Sequence, residues 1–459
     1  MSIPVILASQ SRPRRNLLVQ SGILPTIRVS KVDEPAALAA EAACRGLDDA
    51  SRLTPKEQVS ALASAKAHAV AALYRQTAET AHNATGELVV SRPLDDGYGS
   101  VSQTLPISEA LRNHEGMMNA ASGPVLIGCD SMFEFGGHVY GKPHTPQVAR
   151  ERLLAMSGGE GVLWTGHTVI DLASGREASR VSRAVVRFAK FTPADADAYI
   201  ATGEPLEVAG CFTLEGLGGP FIDSIDGDPS GIIGLSLPTV RLLVEELGIA
   251  WRDLWNLVGP NAVKPGVSLE PAVDDAAANA ASGAKGKAPK ENVHQPGDGW
   301  VACACGHRHW GTNGASGVLL ARRDATTGEV THVLLQHRAL WSAEGGTWGA
   351  PGGATATGES PLEGALRESY EEANIHPEDI DVVGAYLETH GTWGYTTVLA
   401  FEKPGHTVVP RANDDESLEV MWVPLKGVDN LTLLSAMRRD WDGFVERLKR
   451  ISAAMRDGK

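Results

Sequence analysis

The stretch GATATGESPLEGALRESYEEAN, residues 353–374, decides the fold of the second half of the chain. Ser360 suits the N-cap of a helix, Pro361 suits the first helical position, and Glu363 stands where a capping box needs its carboxylate. Together these residues predict a helix over residues 360–373.

The sequence around this helix indicates an α/β fold. Asn374 follows the helix where a left-handed residue is wanted, and asparagine is the best substitute for glycine in that conformation. Strand-like runs at residues 317–322 and 332–336 flank a turn at residues 326–328.

Three glutamates of the predicted helix are spaced i, i+3 and i+4, so Glu368, Glu371 and Glu372 project from one face. Like charges this close repel one another, and carboxylate oxygens suit Mg²⁺ or Mn²⁺, which can bridge phosphates and activate water. The alternative is a solvated acidic face paired with lysines, which is the commoner explanation for an isolated acidic helix.

The wider spacing around these glutamates resembles the Nudix box of the Nudix hydrolase superfamily. The box positions are Gly353, Glu359, Arg367, Glu368, Glu371 and Glu372. Ser369 replaces the usual larger apolar residue and Asn374 replaces the final glycine, but neither change removes a ligand. The resemblance covers about residues 300–447 and implies an α/β/α sandwich that hydrolyses a nucleoside diphosphate linked to another group, X.

The resemblance also implies roles for the box residues. Glu368, Glu371 and Glu372 would bind the divalent metal, with Glu371 and Glu372 catalytic and a carbonyl near Gly352 and Gly353 helping. Arg367 would orient the glutamates by ion pairing, and Glu359 would support the loop and helix.

Several other residues of the second half stay open between two interpretations. Four aromatic residues could stack on a base or serve the core: Trp341, Trp348, Trp393 and Tyr395. Glu416 and Glu419 are candidates for an additional base or ligand. The one-residue spacing of Cys303, Cys305, His307 and His309 is poor for a tetrahedral zinc site, so zinc is the less favoured interpretation there.

The first half also alternates strands and helices, which predicts an α/β layer structure. We expect strands at residues 4–8 and 124–128, the second ending at Asp130. Helices are expected at residues 16–22, 146–156 and 237–247. Residues 77–123 are polar and are predicted to form a long loop or insertion.

Polar residues with the properties of a phosphate site are spread along this half. Hydroxyls and guanidinium groups bind several phosphate oxygens, and two acids can hold a metal. The candidates are Ser9, Ser11, Arg14, Arg15, Asp33, Glu34, Lys66, Asp130 and Lys142. Each alone could be a surface charge, and their joint order favours a site for phosphate-ester hydrolysis.

That order resembles the Maf family of nucleoside triphosphate pyrophosphatases over about residues 3–247. The matched segments include LASQSRPRRNLL, ASAKA, GCDS, GKP and IDGDPSGIIGLSLP. The resemblance implies a Maf/ITPase-like α/β domain with an elongated mixed sheet, whose products are NMP and pyrophosphate. It implies that Asp130 is the catalytic acid–base group or a metal carboxylate and Glu34 a second metal carboxylate. The phosphate-binding residues would be Ser9, Ser11, Arg14, Lys66 and Lys142.

Three departures from the Maf pattern bear on the substrate. Pro13 stands where an arginine is usual, and Ser131 stands where threonine often follows the catalytic aspartate. Glu215 replaces the glutamine of the pyrimidine-selective branch and is similar to the branch that acts on 7-methyl-GTP. A 7-methyl-GTP-like or other modified nucleotide is therefore favoured over dTTP or UTP.

Composition limits what the whole chain of 459 residues can be. With 43% hydrophobic and 21% charged residues it is typical of a soluble globular protein. The net charge of −15 argues against broad binding of nucleic acid or anionic membrane. Five scattered cysteines and the absence of an N-terminal signal pattern favour a reducing cytoplasm.

A stretch without aromatic residues, 260–298, reads as a flexible linker. The sequence thus predicts a Maf-like domain at residues 1–259 and a Nudix domain at residues 299–459. We expect a bifunctional nucleotide hydrolase that needs Mg²⁺ or Mn²⁺, acts on small-molecule nucleotides and can form a homodimer. The alternative is a nucleotide-sensing regulator of cell division or septum formation in which one or both heads do not hydrolyse.

Overall fold

The structure, a computed structural model, describes residues 2–93, 100–108, 123–258, 295–303, 306–391 and 393–457. The chain divides into two compact units. The first unit is Met1–Ala72 with Ala121–Val263, and the second is Leu73–Ala120 with Lys264–Lys459. The predicted linker lies outside the described residues up to position 294.

The secondary structure of the described residues is mixed α/β. The strands are β1 (Val5–Leu7), β2 (Thr26–Ile27), β3 (Glu87–Pro93), β4 (Ser100–Pro106), β5 (Val125–Phe135), β6 (His138–Tyr140), β7 (Glu160–Asp171), β8 (Glu177–Phe188), β9 (Ile222–Asp226), β10 (Trp300–Ala302), β11 (Arg308–Trp310), β12 (Ala315–Arg323), β13 (Val330–Arg338), β14 (Trp348–Gly349), β15 (Gly352–Ala354), β16 (Ile380–His390), β17 (Trp393–Glu402) and β18 (Ser417–Pro424). The helices are α1 (Arg12–Gln20), α2 (Glu34–Cys44), α3 (Pro55–His82), α4 (Pro146–Met156), α5 (Pro193–Ala201), α6 (Pro229–Ile233), α7 (Leu237–Glu246), α8 (Pro361–Ala373) and α9 (Ser435–Arg456).

The first unit is built on a mixed sheet, which the sequence predicted. Its strands follow the order β2, β1, β5, β7, β8, β9, with β6 beside β5. The strands β1, β2 and β5 are parallel, and the other pairs are antiparallel. Short turns join β5 to β6 and β7 to β8, whereas α4 lies in the connection from β6 to β7 and α5 in the connection from β8 to β9.

Two boundaries in the first unit differ from the sequence prediction. Helix α1 begins at Arg12 and not at residue 16, because Pro13 is tolerated in the first turn, where its missing N–H would have no helical acceptor. Strand β5 continues to Phe135, because β7 pairs with it along nearly its whole length. Asp130 therefore lies inside a strand and not at its end.

Helix α3 packs unusually closely on the sheet of the first unit. A Cβ at Gly128 would lie 2.4 Å from the carbonyl oxygen of Ala63, and a Cβ at Gly166 would lie 2.1 Å from that of Val59. Only glycine leaves room for the helix backbone at these two places. The close approach brings Lys66 of α3 next to strand β5.

The second unit is built on a nine-stranded sheet of described residues. Its main order is β14, β13, β12, β17, β16, β3, β4, with β15 beside β12 and β18 beside β13. Helix α8 packs on one face, where Leu362 and Leu366 are buried with Val318 and Val398. Helix α9 packs its apolar side in a second core with Leu319 and other residues. The two cores on one sheet agree with the predicted sandwich.

The prediction of a loop for residues 77–123 is wrong where the structure describes them. Strand β3 pairs in parallel with β16, and β4 pairs with β3. Ala81, Ala84 and Ile107 are buried in the same core as Ile380. These strands contain many polar residues, so the sequence offers little sign of them. They form because β3 pairs with β16, which lies far away in the sequence.

Helix α8 confirms the predicted helix over residues 360–373. Ser360 and Glu363 form a capping box, and Asn374 adopts the left-handed conformation at φ 60°. The predicted strands lie within β12 and β13. Cysteines 44, 129, 211 and 303 are free thiols. Among the described helices, none has the length and apolar character needed to cross a bilayer.

The junction of the insertion with the sheet can be tested at Gly86. This glycine has φ +84°, and a Cβ there would lie 2.1 Å from the carbonyl oxygen of Val383. We expect Gly86→Ala to lower the free energy of unfolding of the second unit by roughly 1–3 kcal/mol more than backbone strain alone. Tryptophan fluorescence during denaturation should measure this, since seven of the ten tryptophans follow residue 260.

Gly405→Ala is the matched control for this prediction. Gly405 has φ +82°, and nothing lies within 4 Å of the position its Cβ would take. In this variant the free energy of unfolding should fall only by the cost of the left-handed conformation, about 1–2 kcal/mol. Equal losses for both variants would contradict a close backbone contact between β3 and β16.

Candidate functional sites

The candidate site of the first unit is centred on Lys66. Its ammonium lies 2.6 Å from Oδ1 of Asp130 and 2.8 Å from Oε1 of Glu34. The lysine and the aspartate are mostly buried, while Glu34 at the start of α2 is half-exposed. The structure thus brings together three of the predicted residues from three separate elements.

Arg14 joins the loop after β1 to strand β5. Its Nη1 donates to Ser9 Oγ and to the carbonyl oxygen of Cys129, each at 3.2 Å, and its Nη2 donates to Ser131 Oγ at 3.1 Å. Its Nε donates to the carbonyl oxygen of Gly234 at 2.8 Å. Because a guanidinium donates in fixed directions, Arg14 fixes the positions of these groups around Asp130.

Burial and charge act in opposite directions at the centre of this site. Burial raises the pKa of Asp130, although Lys66 and Arg14 partly offset it. Burial would lower the pKa of Lys66, but Asp130 and Glu34 outweigh it and raise that pKa. The lysine is therefore charged at neutral pH, and the aspartate is a stronger base than an exposed one.

The other predicted residues of the first unit make contacts of their own. Lys142 is exposed, and its Nζ lies 3.5 Å from Glu207 Oε2. Glu215 is exposed in the loop before β9. The backbone N–H of Ser11 donates to Ser9 Oγ at 3.2 Å, and Pro13 lies in the first turn of α1. Asp33 caps α2 through the N–H of Ala36.

Sequence reasoning missed two polar residues of this unit. Thr165 on β7 lies 3.0 Å from Ser131 and donates to the carbonyl oxygen of Gly231 at 2.9 Å. Glu204 accepts from the hydroxyls of Tyr199 and Thr213 and from two backbone N–H groups of the loop that carries Glu215. In the sequence, Glu204 is marked only by the turn glycine Gly203 that precedes it, and this is a weak signal for a functional residue.

The candidate site of the second unit depends on a buried guanidinium. Nε and Nη2 of Arg367 donate to the two carboxylate oxygens of Glu359, at 2.6 and 2.9 Å. Its Nη1 donates to Glu368 at 2.7 Å and to Glu371 at 2.9 Å. Nη2 also donates to the carbonyl oxygen of Ala354 at 3.0 Å. The Arg367 side chain is 3% exposed and that of Glu359 1%, so this ion pair is fully desolvated.

The charges around Arg367 determine its ionisation. Burial would lower its pKa, but Glu359, Glu368 and Glu371 outweigh burial and hold the pKa of Arg367 well above its ordinary value. Bidentate pairing of this kind is strong and directional. Arg367 therefore holds two of the predicted metal carboxylates in one place.

Glu372 and Glu416 are two carboxyl groups of this site whose surroundings disfavour the ionised form. Burial, followed by the carboxylates of Glu416 and Glu368, raises the pKa of Glu372 well above its ordinary value. Burial and the charges of Asp414 and Glu368 also raise the pKa of Glu416. A divalent cation would relieve this repulsion, so the donor set fits Mg²⁺ or Mn²⁺. Glu419, the other predicted candidate, lies exposed on β18.

Glycines let the loop before α8 reach these carboxylates. A Cβ at Gly353 would lie 2.9 Å from the Glu368 carboxylate, and one at Gly352 would lie 2.3 Å from the carbonyl oxygen of Ser316. The N–H of Gly352 donates to Glu372 Oε2 at 2.9 Å. The N–H of Ala356 donates to Glu359 at 3.0 Å.

The aromatic candidates take part in different contacts. Trp348 stacks on His337 with ring centroids 4.6 Å apart, and Trp393 stacks on His309 at 4.1 Å. Tyr395 lies against Gly317, and burial raises the pKa of its hydroxyl to about 12. Trp341 is half-buried in the loop after β13. Trp393 and Tyr395 therefore have structural contacts of their own.

Each unit thus places carboxylates and cations in an arrangement suited to phosphate chemistry. In the first unit two cations, Lys66 and Arg14, accompany two carboxylates. In the second unit Arg367 pairs with Glu359, Glu368 and Glu371, and Arg338 acts on Glu372 and Glu416, so the carboxylates outnumber the cations. The first arrangement can bind an anion directly, and the second requires a further cation.

Comparisons with known proteins give one family match in each half of the chain. The family model described as Maf-like protein matches residues 4–247, more than half of the chain, and the NUDIX domain model matches residues 313–442. A nucleoside triphosphate pyrophosphatase/Nudix hydrolase fusion protein of Bifidobacterium longum (strain NCC 2705) is 56% identical over 494 residues, covering 99% of this chain and 100% of the relative.

Other relatives cover only part of this chain. A nucleoside triphosphate pyrophosphatase of Leifsonia xyli subsp. xyli is 41% identical over 256 residues, 55% of this chain and 97% of the relative. The crystal structure of a Nudix hydrolase from M. smegmatis, RenU, is 39% identical and covers 34% of this chain and 96% of that one, with a TM-score of 0.29.

The match to the fusion protein along nearly the whole chain is the finding that decides the family. It joins the Maf-like match of the first half and the NUDIX match of the second half in one polypeptide. The chain belongs to the family of nucleoside triphosphate pyrophosphatase/Nudix hydrolase fusion proteins, and it is a bifunctional hydrolase with one Maf-like and one NUDIX head.

Proposed function

We propose that the Maf-like head hydrolyses a modified nucleoside triphosphate to a nucleoside monophosphate and pyrophosphate, with Asp130 as the general base. The contact of Asp130 with Lys66 carries this proposal. It keeps a buried carboxylate ionised, while burial makes that carboxylate basic enough to accept a proton from water. Water would attack the α-phosphorus, and pyrophosphate would leave.

Cationic and hydroxyl groups near Asp130 would bind the triphosphate. Arg14 and Lys66 offset its negative charge, and Ser9 offers a hydroxyl 3.2 Å from Arg14. Glu34 and Asp130 converge on the Lys66 ammonium, which indicates that this pair of carboxylates can share a cation. A divalent cation there would polarise phosphate oxygens, and Mg²⁺ and Mn²⁺ are the ions proposed.

For the NUDIX head we propose hydrolysis of a nucleoside diphosphate linked to another group. Glu368, Glu371 and Glu372 would hold a divalent cation, and the burial and neighbouring carboxylates that raise the pKa of Glu372 support this role. Glu371 and Glu372 would orient the attacking water and take its proton, while Arg367 positions Glu368 and Glu371. The acidic chain suits a cytoplasmic enzyme of small-molecule nucleotides.

The assignment of separate sites predicts separate losses. Asp130→Asn should reduce release of pyrophosphate from triphosphates by about 10²–10⁴-fold, because asparagine cannot accept the proton. Glu372→Gln should reduce a different subset of activities, those of the NUDIX head. A screen of canonical, methylated and oxidised nucleotides with Mg²⁺ or Mn²⁺ measures both, and excess chelator should remove the NUDIX activities.

Two exposed residues provide controls for this screen. Asp48→Asn and Glu446→Gln remove a carboxylate from each unit and should keep the parental activities, since both side chains are exposed. If Asp130→Asn and Glu372→Gln keep every parental activity, the site assignment is wrong. A parent that hydrolyses none of the nucleotides would favour the alternative, a nucleotide-sensing regulator.

The Arg367 fork predicts that lysine cannot replace it. Arg367→Lys keeps the charge, but a lysine cannot donate two parallel hydrogen bonds to Glu359. The free energy of unfolding of the second unit should therefore fall by roughly 2–4 kcal/mol. NUDIX activity should fall about 10²-fold because Glu368 and Glu371 lose their common anchor. Denaturation followed by tryptophan fluorescence and a NUDIX assay measure the two effects.

Arg322→Lys is the matched control for the fork. Arg322 also binds a carboxylate with two bonds, to Glu402 at 2.6 and 2.7 Å, but its side chain is 32% exposed. In this variant the free energy of unfolding should fall by about 1 kcal/mol or less, and NUDIX activity should be kept. Equal losses from both substitutions would show that burial of the Arg367 pair is unimportant.

We propose Glu215 as the residue that selects the base. A carboxylate accepts hydrogen bonds from a guanine edge and attracts the positive charge of a methylated ring. Glu215→Gln should lower the ratio of kcat/KM for 7-methyl-GTP over UTP by about tenfold, which corresponds to about 1.4 kcal/mol. The exposed Glu246→Gln should leave this ratio unchanged, and an unchanged ratio in Glu215→Gln would refute the assignment.

A further inference from the structure

A cluster of potential metal ligands lies in the second unit, away from the carboxylates of α8. Cys303, His309 and His390 offer ligand atoms that all lie within 4.8 Å of one another. Strands β10 and β11 form an antiparallel hairpin that carries Cys303 and His309, and His390 ends β16. Residues far apart in the sequence are thus brought to one place, which spacing alone could not predict.

The chemistry of these three side chains suits a zinc-like ion. Thiolate and imidazole are the ligands that Zn²⁺ prefers, and tetrahedral coordination needs ligand atoms about 3.3–3.8 Å apart. All three side chains are half-buried, so an ion could enter from solvent and still be partly desolvated. Cys303 Sγ donates to the carbonyl oxygen of His390 at 2.9 Å, which holds the sulfur beside that histidine.

Surrounding residues orient the two imidazoles. Nε2 of His390 lies 2.7 Å from Glu388 Oε1, and Glu388 also binds Arg439. A carboxylate on one ring nitrogen leaves the other as ligand and makes it more basic, an arrangement common around protein-bound zinc. The His309 ring stacks on Trp393 with an interplanar angle of 11°. The indole N–H of Trp393 donates to the carbonyl oxygens of Trp310 and Gly311, both at 3.1 Å.

The described cluster differs from the set of residues that the sequence spacing offered. His307 is exposed on the same hairpin and is not part of the cluster. The earlier zinc interpretation thus keeps Cys303 and His309, loses His307 and gains His390, while Cys305 lies outside the described residues.

We propose that Cys303, His309 and His390 bind one Zn²⁺ ion that fastens the β10–β11 hairpin to the end of β16. On binding, the Cys303 thiol loses its proton to the solvent and the thiolate sulfur forms the bond to zinc. A water molecule would fill the fourth tetrahedral position, and the ion would have a structural role because its three protein ligands join the hairpin to the end of β16.

Metal analysis of the full chain tests this proposal. After dialysis against buffer without metal, the parent should retain about one zinc per chain, and Cys303→Ser and His309→Asn should each lose at least four-fifths of it. The Co²⁺-substituted parent should show a thiolate-to-cobalt charge-transfer band that Cys303→Ser lacks. Chelation of zinc in the presence of excess Mg²⁺ should lower the melting temperature of the parent and leave that of the variants unchanged.

Two variants control for the loss of any thiol or imidazole. Cys44→Ser removes an exposed cysteine of the first unit, and His307→Asn removes the neighbouring exposed histidine. Both should keep the parental zinc content and the charge-transfer band. Zinc that persists in Cys303→Ser, or a folded parent that binds neither Zn²⁺ nor Co²⁺ when they are supplied, would overturn the proposal.

Discussion

In both units a buried cation holds together carboxylates that would otherwise repel one another. Lys66 does so for Asp130 and Glu34, and Arg367 does so for Glu359, Glu368 and Glu371. Burying an unpaired charge is far more unfavourable than burying a matched pair. The close packing of α3 on the first sheet and of the glycine loop on α8 is therefore tied to these pairs.

The two cations lead to different electrostatic outcomes. In the first unit Arg14 and Lys66 match two carboxylates, so an incoming polyphosphate meets a site that is nearly balanced. In the second unit Arg367 pairs with its own neighbours, and burial and nearby carboxylates raise the pKa of Glu372 and of Glu416 in spite of Arg338. The NUDIX site is thus the one whose electrostatics most clearly require a divalent cation.

Local sequence predicted the features that depend on neighbouring residues. The capping box of α8, the left-handed Asn374 and the common face of its glutamates follow from spacings of three or four residues. The family resemblance added Asp130 and Lys66, whose contact depends on two glycines that let α3 approach β5. The cluster with His390 and the contacts of Glu204 could not be predicted, because they join segments whose proximity only the fold decides.

The insertion shows how such long-range pairing can change the organisation of a whole chain. The hydroxyl of Thr85 donates a hydrogen bond to the carbonyl oxygen of Val382, which is 297 residues away in the sequence. Strands β3 and β4 complete the sheet of the NUDIX unit. Loop-closure entropy grows only slowly with length, so this separation costs little stability. The chain passes between the units three times, at residues 72–73, 120–121 and 263–264. Cutting the chain within residues 260–298 would leave β3 and its pairing partner β16 on different fragments.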